Sequence, residues 1–241
     1  MPRFFVTEAP KDGVLTLSGE NAHHAGRVLR LRAGEAVTLC NGLGVDHDCV
    51  IEQVARDEVY CRVVHTHPAQ TEPKQQITLF MALPKGDKME WIVQKAVELG
   101  VADIVPYLSK NCVSRPEQTD KKVARWQKIA TEAAGQCGRG RLPRVAPVAP
   151  FATAIEQAAQ AQTALFFYEN EKQTGLQDAL AGGVGDTVSL LIGPEGGFAP
   201  EEAEAAQQAG LTSVSLGTRI LRCETAPVAA LAAVLYAGGN M

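Results

Sequence analysis

The residues with the clearest chemical meaning lie in the last quarter of the chain. A glycine-rich turn, GPEGG at residues 193–197, carries the carboxylate of Glu195 and no lysine. Glycines allow a ligand to approach the backbone closely because they have no Cβ. Since nucleotide-binding P-loops place a lysine against the phosphates, this turn favours a ligand that is cationic or neutral nearby over a polyphosphate.

A second candidate segment, LGTRILRCETA, occupies residues 216–226. It contains Arg222 and Glu224, which could form an ordinary surface ion pair, and Thr225, which could cap the helix predicted to follow. Leu221 and Cys223 flank Arg222, which favours a positioned guanidinium over a freely solvated one. These side chains are therefore candidates for ligand binding or catalysis.

Both segments follow apolar runs, residues 187–192 and 211–216, that are typical of buried parallel strands. Upstream, similar runs at 77–83, 104–108 and 164–168 alternate with amphipathic helical patterns. This alternation predicts an α/β fold with a mostly parallel sheet and helices on both faces. Ligands bind such open sheets at the carboxyl ends of the strands, so we expect the two candidate segments to lie close together there.

The N-terminal part of the chain has a different pattern, with short strands and tight turns such as the one at 41–44. A stretch with two prolines and little apolar content, residues 67–76, is the best candidate for a linker. We therefore predict two domains, a small β-barrel at 1–70 and an α/β domain at 71–241.

The bulk composition is that of an ordinary globular protein, with 46% hydrophobic and 21% charged residues. No apolar run reaches the roughly 18 residues of a membrane span, and the N-terminus lacks the apolar core of a signal peptide. The six cysteines form no C-x-x-C pair, which is typical of reduced thiols and predicts a cytoplasmic protein. His65 and His67 have no third ligand within sequence reach, so we predict no metal site.

The candidate segments resemble those of the RsmE family, bacterial methyltransferases of the SPOUT (α/β-knot) superfamily. Further stretches similar to this family follow in the family's order, at 24–30, 88–90, 94–101 and 136–139. The resemblance implies a SPOUT-type sheet with a C-terminal trefoil knot, preceded by a PUA-like RNA-binding barrel. It also implies methylation of N3 of a specific uridine in the 16S rRNA of the small ribosomal subunit, with S-adenosyl-L-methionine as methyl donor.

The same resemblance implies which residues serve the reaction. Those predicted to bind the methyl donor are Leu191, Ile192, Gly193, Glu195, Gly196, Gly197, Leu216, Gly217, Ile220, Leu221, Arg222 and Thr225. The predicted catalytic residues are Arg222 and Glu224. Glu224 is the candidate base for the N3 proton, and Arg222 would stabilise the uracil anion or orient a phosphate.

The formal net charge of −4 is unevenly distributed, which is compatible with RNA binding. Residues 71–150 hold 13 basic and 8 acidic side chains, whereas residues 151–241 hold 3 and 10. A basic zone can bind phosphates because distant charges are screened at physiological salt; for the lysines at 121–128 a solvated helix face is an equal alternative. Arg27, Arg30 and Arg32, which follow His24, are predicted to lie on one side of a short helix. The predicted RNA-binding residues are His24, Arg27, Arg30, Lys88, Arg139 and Arg141.

The last predicted helix, residues 226–236, is apolar on nearly every face and needs cover on every face. The sheet can cover one side only, and SPOUT enzymes are dimers by resemblance, so we predict a homodimer.

Two positions depart from the family pattern. Gly135 stands where the family usually has glutamate, and Cys223 stands where it usually has threonine. The departure at Gly135 favours one alternative function, a non-catalytic ribosome-assembly factor that binds RNA. A second alternative, a SPOUT methyltransferase that acts on a tRNA nucleotide, also stays open.

Overall fold

A computed structural model describes residues 1–113 and 118–241 of the chain. These residues form two compact units. The first contains Met1–Glu72 and Ala134–Leu142, and the second contains Pro73–Ala133 and Pro143–Met241. The predicted division into two contiguous domains did not include the return of the segment Ala134–Leu142 to the first unit. This return was not predicted because no linker-like stretch separates the segment from the amphipathic helical pattern before it.

The first unit is built on a five-stranded sheet in the order β1-β3-β4-β5-β2. The strands are β1 Arg3–Phe5, β2 Val14–Ser18, β3 Ala36–Cys40, β4 Val45–Val54 and β5 Glu58–Pro68. The pairing of β1 with β3 is parallel, and the others are antiparallel. Two register shifts between β4 and β5 bend the long hairpin, as β-bulges do, and the sheet curls as a half-barrel around its buried face.

A short helical segment follows β2, and it differs from the predicted arginine-bearing helix. It consists of α1, Gly19–His23, and a π-helical turn, His24–Val28. Arg27 lies in that turn, but Arg30 follows it in the left-handed region, with a φ of 55°. The prediction that Arg27, Arg30 and Arg32 share one side of a helix is therefore wrong.

The second unit contains a parallel sheet in the order β12-β10-β11-β6-β7-β8, with β9 also paired to β7. Its strands are β6 Gln76–Ala82, β7 Asp103–Leu108, β8 Arg144–Val145, β9 Ala149–Pro150, β10 Thr163–Phe167, β11 Thr187–Ile192 and β12 Thr212–Val214. Every pairing between them is parallel in the described residues. The predicted α/β fold with a mostly parallel sheet is thus confirmed.

Six helices follow the strands of this sheet in the described residues. The C-terminal end of the second of these helices belongs to the first unit. The six helices are α2 Lys88–Glu98, α3 Thr119–Cys137, α4 Phe151–Ala158, α5 Leu176–Ala179, α6 Pro200–Gln208 and α7 Thr225–Ala237. Helix α2 buries an apolar stripe from Met89 to Val97, and Gly100 follows its end with a φ of 103°. Thr225 is the first residue of α7 rather than its N-cap, because the backbone of Glu224 is already helical.

The strand order brings three loops to one place. Strands β12, β10 and β11 are neighbours and parallel, so their carboxyl ends lie side by side at one edge of the sheet. From β12 at the end of the sheet, residues 215–224 lead back to α7, which packs against β11 and α2. The predicted knot requires such a return; the threading itself stays a prediction.

Candidate functional site

A cavity of about 610 Å³ opens where the strands β10, β11 and β12 end. Most residues predicted to bind the methyl donor line it: Ile192, Gly193, Glu195, Gly196, Gly197, Leu216, Gly217, Ile220, Leu221 and Arg222. Leu191 does not line it, because this residue is fully buried within β11. Thr225 also lies outside the lining, and its neighbour Ala226 takes that place.

Several lining residues were not predicted from the sequence. They are Lys88, Phe167, Tyr168, Glu169, Pro194, Val214, Ser215, Arg219, Cys223 and Ala226. Phe167, Tyr168 and Glu169 end β10 and begin its loop. Since a strand had been predicted at 164–168, the rule that ligands bind at the carboxyl ends of strands would have identified these three.

The glycines of the 193–197 turn are required by the protein's own packing. A Cβ on Gly193 would lie 2.7 Å from the Phe198 ring, and one on Gly197 would collide with the Glu169 carboxylate. Gly197 also has a φ of 65°, in the left-handed region that glycine tolerates best. The turn is therefore tightly packed against its neighbours on one side and open to the cavity on the other.

Hydrogen bonds hold this turn from behind. The side-chain amide of Asn111 donates to the carbonyl oxygens of Gly196 and Gly197, at 3.1 and 3.2 Å. The Tyr107 hydroxyl donates to the carbonyl of Ile192, at 2.8 Å. The buried Glu202 accepts hydrogen bonds from the loop that carries Asn111, including one from the Lys110 N–H at 2.8 Å. The peptide groups that face the cavity thus have fixed orientations.

A charged cluster begins at the wall of the cavity, where Lys88 and Glu195 belong to the lining. Glu224 lies outside that lining and joins the cluster through Lys88. The Lys88 ammonium lies 3.0 Å from Glu195 Oε1 and 3.1 Å from Glu224 Oε2. Hydrogen bonds to Glu195 and Glu224 raise the pKa of Lys88 well above its ordinary value. Lys88 was predicted to bind RNA, yet the structure pairs it with two carboxylates of the site.

Both carboxylates of this cluster are ionised at neutral pH. Burial raises the pKa of Glu195, but the hydrogen bonds from Lys88, from its own backbone and from the Lys85 N–H outweigh burial and hold that pKa below its ordinary value. For Glu224, burial is likewise outweighed by its backbone, Cys223 and Lys88, so its pKa is also lowered. Burial and the hydrogen bond to Glu224 raise the pKa of Cys223 to about 12, so its thiol stays protonated.

Two arginines of the cavity have no ion-pair partner among residues 1–113 and 118–241. Arg219 and Arg222 both line the cavity and are exposed, and no carboxylate in the described part of the chain lies within ion-pair distance of either. The alternative of a surface pair between Arg222 and Glu224 is therefore wrong, since Glu224 pairs with Lys88. Both guanidiniums are available to an anionic group.

The predicted RNA-binding residues of the first unit fall into two groups. His24, Arg27, Arg30 and Arg141 are exposed. Arg139, in contrast, is 3% exposed and forms an ion pair with Glu72, at 2.7 Å between Nη2 and Oε2.

The partner of Arg139 explains its burial. The other oxygen of Glu72 accepts hydrogen bonds from the N–H groups of Gly140 and Arg141, at 3.0 and 3.1 Å. The carboxylate thereby anchors the returning segment to the first unit. The prediction that Arg139 contacts RNA is therefore not supported by the structure.

The structure contains no obvious metal centre in the part of the chain it describes. No group of three or more histidine, cysteine or acidic side chains there could hold an ion. His67 pairs with Asp48, at 3.1 Å, rather than with His65. In the same residues, no helix is long and apolar enough to span a membrane.

Family models match both parts of the chain. A model described as an RNA methyltransferase domain matches residues 71–235, and one described as an RNA methyltransferase PUA domain matches residues 17–64. The parallel sheet with its cavity and the N-terminal half-barrel thus define a protein of the RNA methyltransferase class.

Individual relatives narrow the class. The chain is 33% identical to ribosomal RNA small subunit methyltransferase E of Bacillus subtilis (strain 168), with 98% of this chain and 96% of the relative covered. Its sequence is 34% identical to that of a ribosomal RNA small subunit methyltransferase E from Neisseria gonorrhoeae, whose crystal structure was solved bound to S-adenosyl methionine. The two structures align with a TM-score of 0.88, over 98% of this chain and 97% of the other. The chain therefore belongs to the family of ribosomal RNA small subunit methyltransferase E, as its motifs predicted.

Proposed function

We propose that this protein transfers a methyl group from S-adenosyl-L-methionine to N3 of a specific uridine in 16S rRNA of the small ribosomal subunit. The observation that carries the proposal is the cavity at the ends of β10, β11 and β12. The cavity is formed by the segments whose sequence resembles the RsmE family. A relative of this protein, from N. gonorrhoeae, has been solved with S-adenosyl methionine bound.

The residues of the cavity suit this donor. Its volume of about 610 Å³ lies within the range of about 300–1,000 Å³ that is usual for small-molecule sites. Apolar side chains such as Ile192, Val214 and Leu216 would cover the adenine, and the peptide groups of the glycine turn would hydrogen-bond its polar edges. The donor would supply a methyl group activated by a positively charged sulfonium, and the carboxylates of Glu169 and Glu195 favour a cationic ligand.

Arg222 and Glu224 are the proposed catalytic residues. Loss of the N3 proton leaves a negative charge on the uracil ring. The Arg222 guanidinium, which has no ion-pair partner among the described residues, can stabilise that charge from the wall of the cavity. Glu224 is ionised and could accept the proton, although its ion pair with Lys88 lowers its basicity. Since the proton of an imide nitrogen is weakly held, a weak base in the correct position is sufficient.

RNA binding is assigned to the exposed basic residues of the PUA-type unit. His24, Arg27, Arg30 and Arg141 present positive or hydrogen-bonding groups to solvent, and such groups bind phosphates without reading sequence. Because its substrate would be a ribosomal subunit, we propose a cytoplasmic location.

We also propose a homodimer that uses α7. Val228, Ala229, Ala232 and Ala233 of this helix are half-exposed in the single chain, and Tyr236 is 75% exposed. Because α7 has no charged residue, exposure of these apolar side chains to water is unfavourable. Contact with a second copy of the chain is the simplest way to bury them.

The test uses small subunits from a bacterial strain that lacks the endogenous family enzyme. The purified protein, labelled S-adenosyl-L-methionine and these 30S subunits should yield about one methyl group per 16S rRNA, and mass spectrometry should identify 3-methyluridine. Wild-type 30S subunits, already methylated, are the control substrate. Incorporation into tRNA alone would favour the tRNA alternative, and donor binding without any transfer would favour the assembly factor.

A further inference from the structure

Lys88 joins two parts of the cavity wall. It begins α2, whereas Glu195 lies in the turn after β11 and Glu224 immediately precedes α7. The Lys88 Nζ lies 3.0 Å from Glu195 Oε1 and 3.1 Å from Glu224 Oε2. One ammonium group therefore bridges two carboxylates that belong to separate loops of the site.

The charges of this cluster show what the ammonium group does there. Glu195 and Glu224 are both ionised, and a shared cation holds them near each other. Like charges at short range repel, and one carboxylate of such a pair protonates more readily. Without Lys88, the glycine turn and the 215–224 loop would carry an uncompensated repulsion at the wall of the cavity.

The Cys223 thiol also contacts both carboxylates, but it is neutral and does not offset their charge. The remaining contacts fix only one side of this arrangement. Asn111 holds the glycine turn from behind, and the Lys85 N–H donates to Glu195 at 3.1 Å. Neither contact reaches Glu224. Lys88 contacts both carboxylates, and its Nζ also lies 3.8 Å from the Cys223 sulfur in the second loop.

We propose that Lys88 is a positioning residue of the methyl-donor cavity, which holds the glycine turn and the 215–224 loop together through Glu195 and Glu224 and does not contact RNA. The proposal rests on the proposed function of the cavity. The cluster combines one positive and two negative charges, so it leaves a net negative charge at the wall.

The first experiment compares two lysines of the same helix. Lys88→Met removes the ammonium and keeps most of the side-chain length. Lys95→Met removes a lysine of nearly equal exposure that pairs with Glu98 on the same helix, α2. Titration calorimetry with S-adenosyl-L-methionine should show a dissociation constant raised about tenfold for Lys88→Met, as expected for loss of charged hydrogen bonds. Lys95→Met should bind as the wild type does.

Steady-state kinetics and the pH dependence of donor binding distinguish a positioning role of Lys88 from a purely structural one. For Lys88→Met, KM for the donor should rise by more than kcat falls, and Lys88→Arg should restore most of the affinity. The titratable groups that face Lys88 are Glu195, Glu224 and the Cys223 thiol. Without the cation, the pKa of one carboxylate should rise, so lowering the pH from 8 to 6 should partly restore donor binding in Lys88→Met and not in the wild type.

RNA binding is the contrasting readout. Lys88→Met should bind 30S subunits with unchanged affinity and an unchanged salt dependence. A log–log salt slope reduced by roughly one unit would instead make Lys88 a phosphate contact and overturn the proposal. Donor affinity of Lys88→Met equal to that of the wild type would overturn it too, whereas failure of the wild type to bind the donor would contradict the proposed function itself.

Discussion

Glu169 lies directly against Gly197, and its carboxylate occupies the space that a side chain at residue 197 would need. A Cβ there would collide with the Glu169 carboxylate, and that carboxylate accepts a hydrogen bond from the Phe198 N–H at 3.0 Å. The loop after β10 and the turn after β11 are therefore fitted to each other at the wall of the cavity. Substitutions at Gly197 disturb this fit before any ligand is present.

Gly197→Val should accordingly reduce both donor binding and stability. A left-handed backbone costs about 1–3 kcal/mol with a bulky side chain, and displacement of Glu169 adds to that cost. Thermal unfolding and calorimetry on the same sample would measure the two effects. Gly210→Val is the control, because Gly210 lies outside the cavity lining and also has a positive φ, 98°, while its Cβ would meet no atom within 4 Å. A Gly197→Val protein as stable as the wild type would show that Glu169 moves without cost.

Arg139 and Arg141 should behave differently when replaced by alanine. Arg139→Ala leaves the carboxylate of Glu72 without its buried partner, and we expect a loss of about 3 kcal/mol in the free energy of unfolding. Arg141→Ala should leave stability almost unchanged and reduce the log–log salt slope for 30S binding by roughly one unit.

Chemical denaturation and filter binding over a range of salt concentrations would test this contrast. Arg144→Ala is the matched control, since Arg144 is an exposed arginine paired with Asp103 at 3.0 Å. Equal stability of the Arg139→Ala and Arg141→Ala proteins would contradict the assignment of Arg139 to the packing of the first unit.

The role of Glu224 can be read from the pH dependence of the single-turnover rate. Because its folded pKa is below the ordinary value, Glu224 stays ionised as the pH falls, and the rate should not decline on its account until the pH drops below about 4.3. If Glu224 is the base, Glu224→Gln should lower the rate about 100-fold. A reduction of less than about threefold would indicate that water takes the N3 proton.

The proposed dimer gives a direct prediction of mass. Light scattering at micromolar concentration should report about twice the 25.7 kDa of one chain. Introduction of two charges on the half-exposed face of α7, Ala229→Glu with Ala232→Glu, should produce monomers. Ala205→Glu on α6 is the control, because Ala205 is also half-exposed. A wild-type protein that elutes as a monomer and still methylates 30S subunits would contradict the dimer.

Five of the seven described strands of the second unit, and the place of the cavity, could be predicted from the sequence. Strands β8 and β9 were missed because strands of two residues leave no local pattern. Strand β11 was predicted with its observed bounds, residues 187–192, because six consecutive apolar or small residues before a glycine-rich turn form a local pattern. The rule that parallel strands present ligands at their carboxyl ends then placed residues 193–197 and 216–222 at one cavity, which the lining residues bear out.

Which charged side chains are free to bind a ligand or RNA could be learned only from the three-dimensional fold. Lys88 and Arg139 have the same local appearance as RNA-binding residues, yet their partners, Glu195 with Glu224 and Glu72, lie far away in the chain. Ion pairs between distant residues leave no periodic trace in a sequence, because they depend on how the strands and loops meet in space. Arg222 keeps its guanidinium available for the same reason: the carboxylate two residues away, Glu224, is held by Lys88.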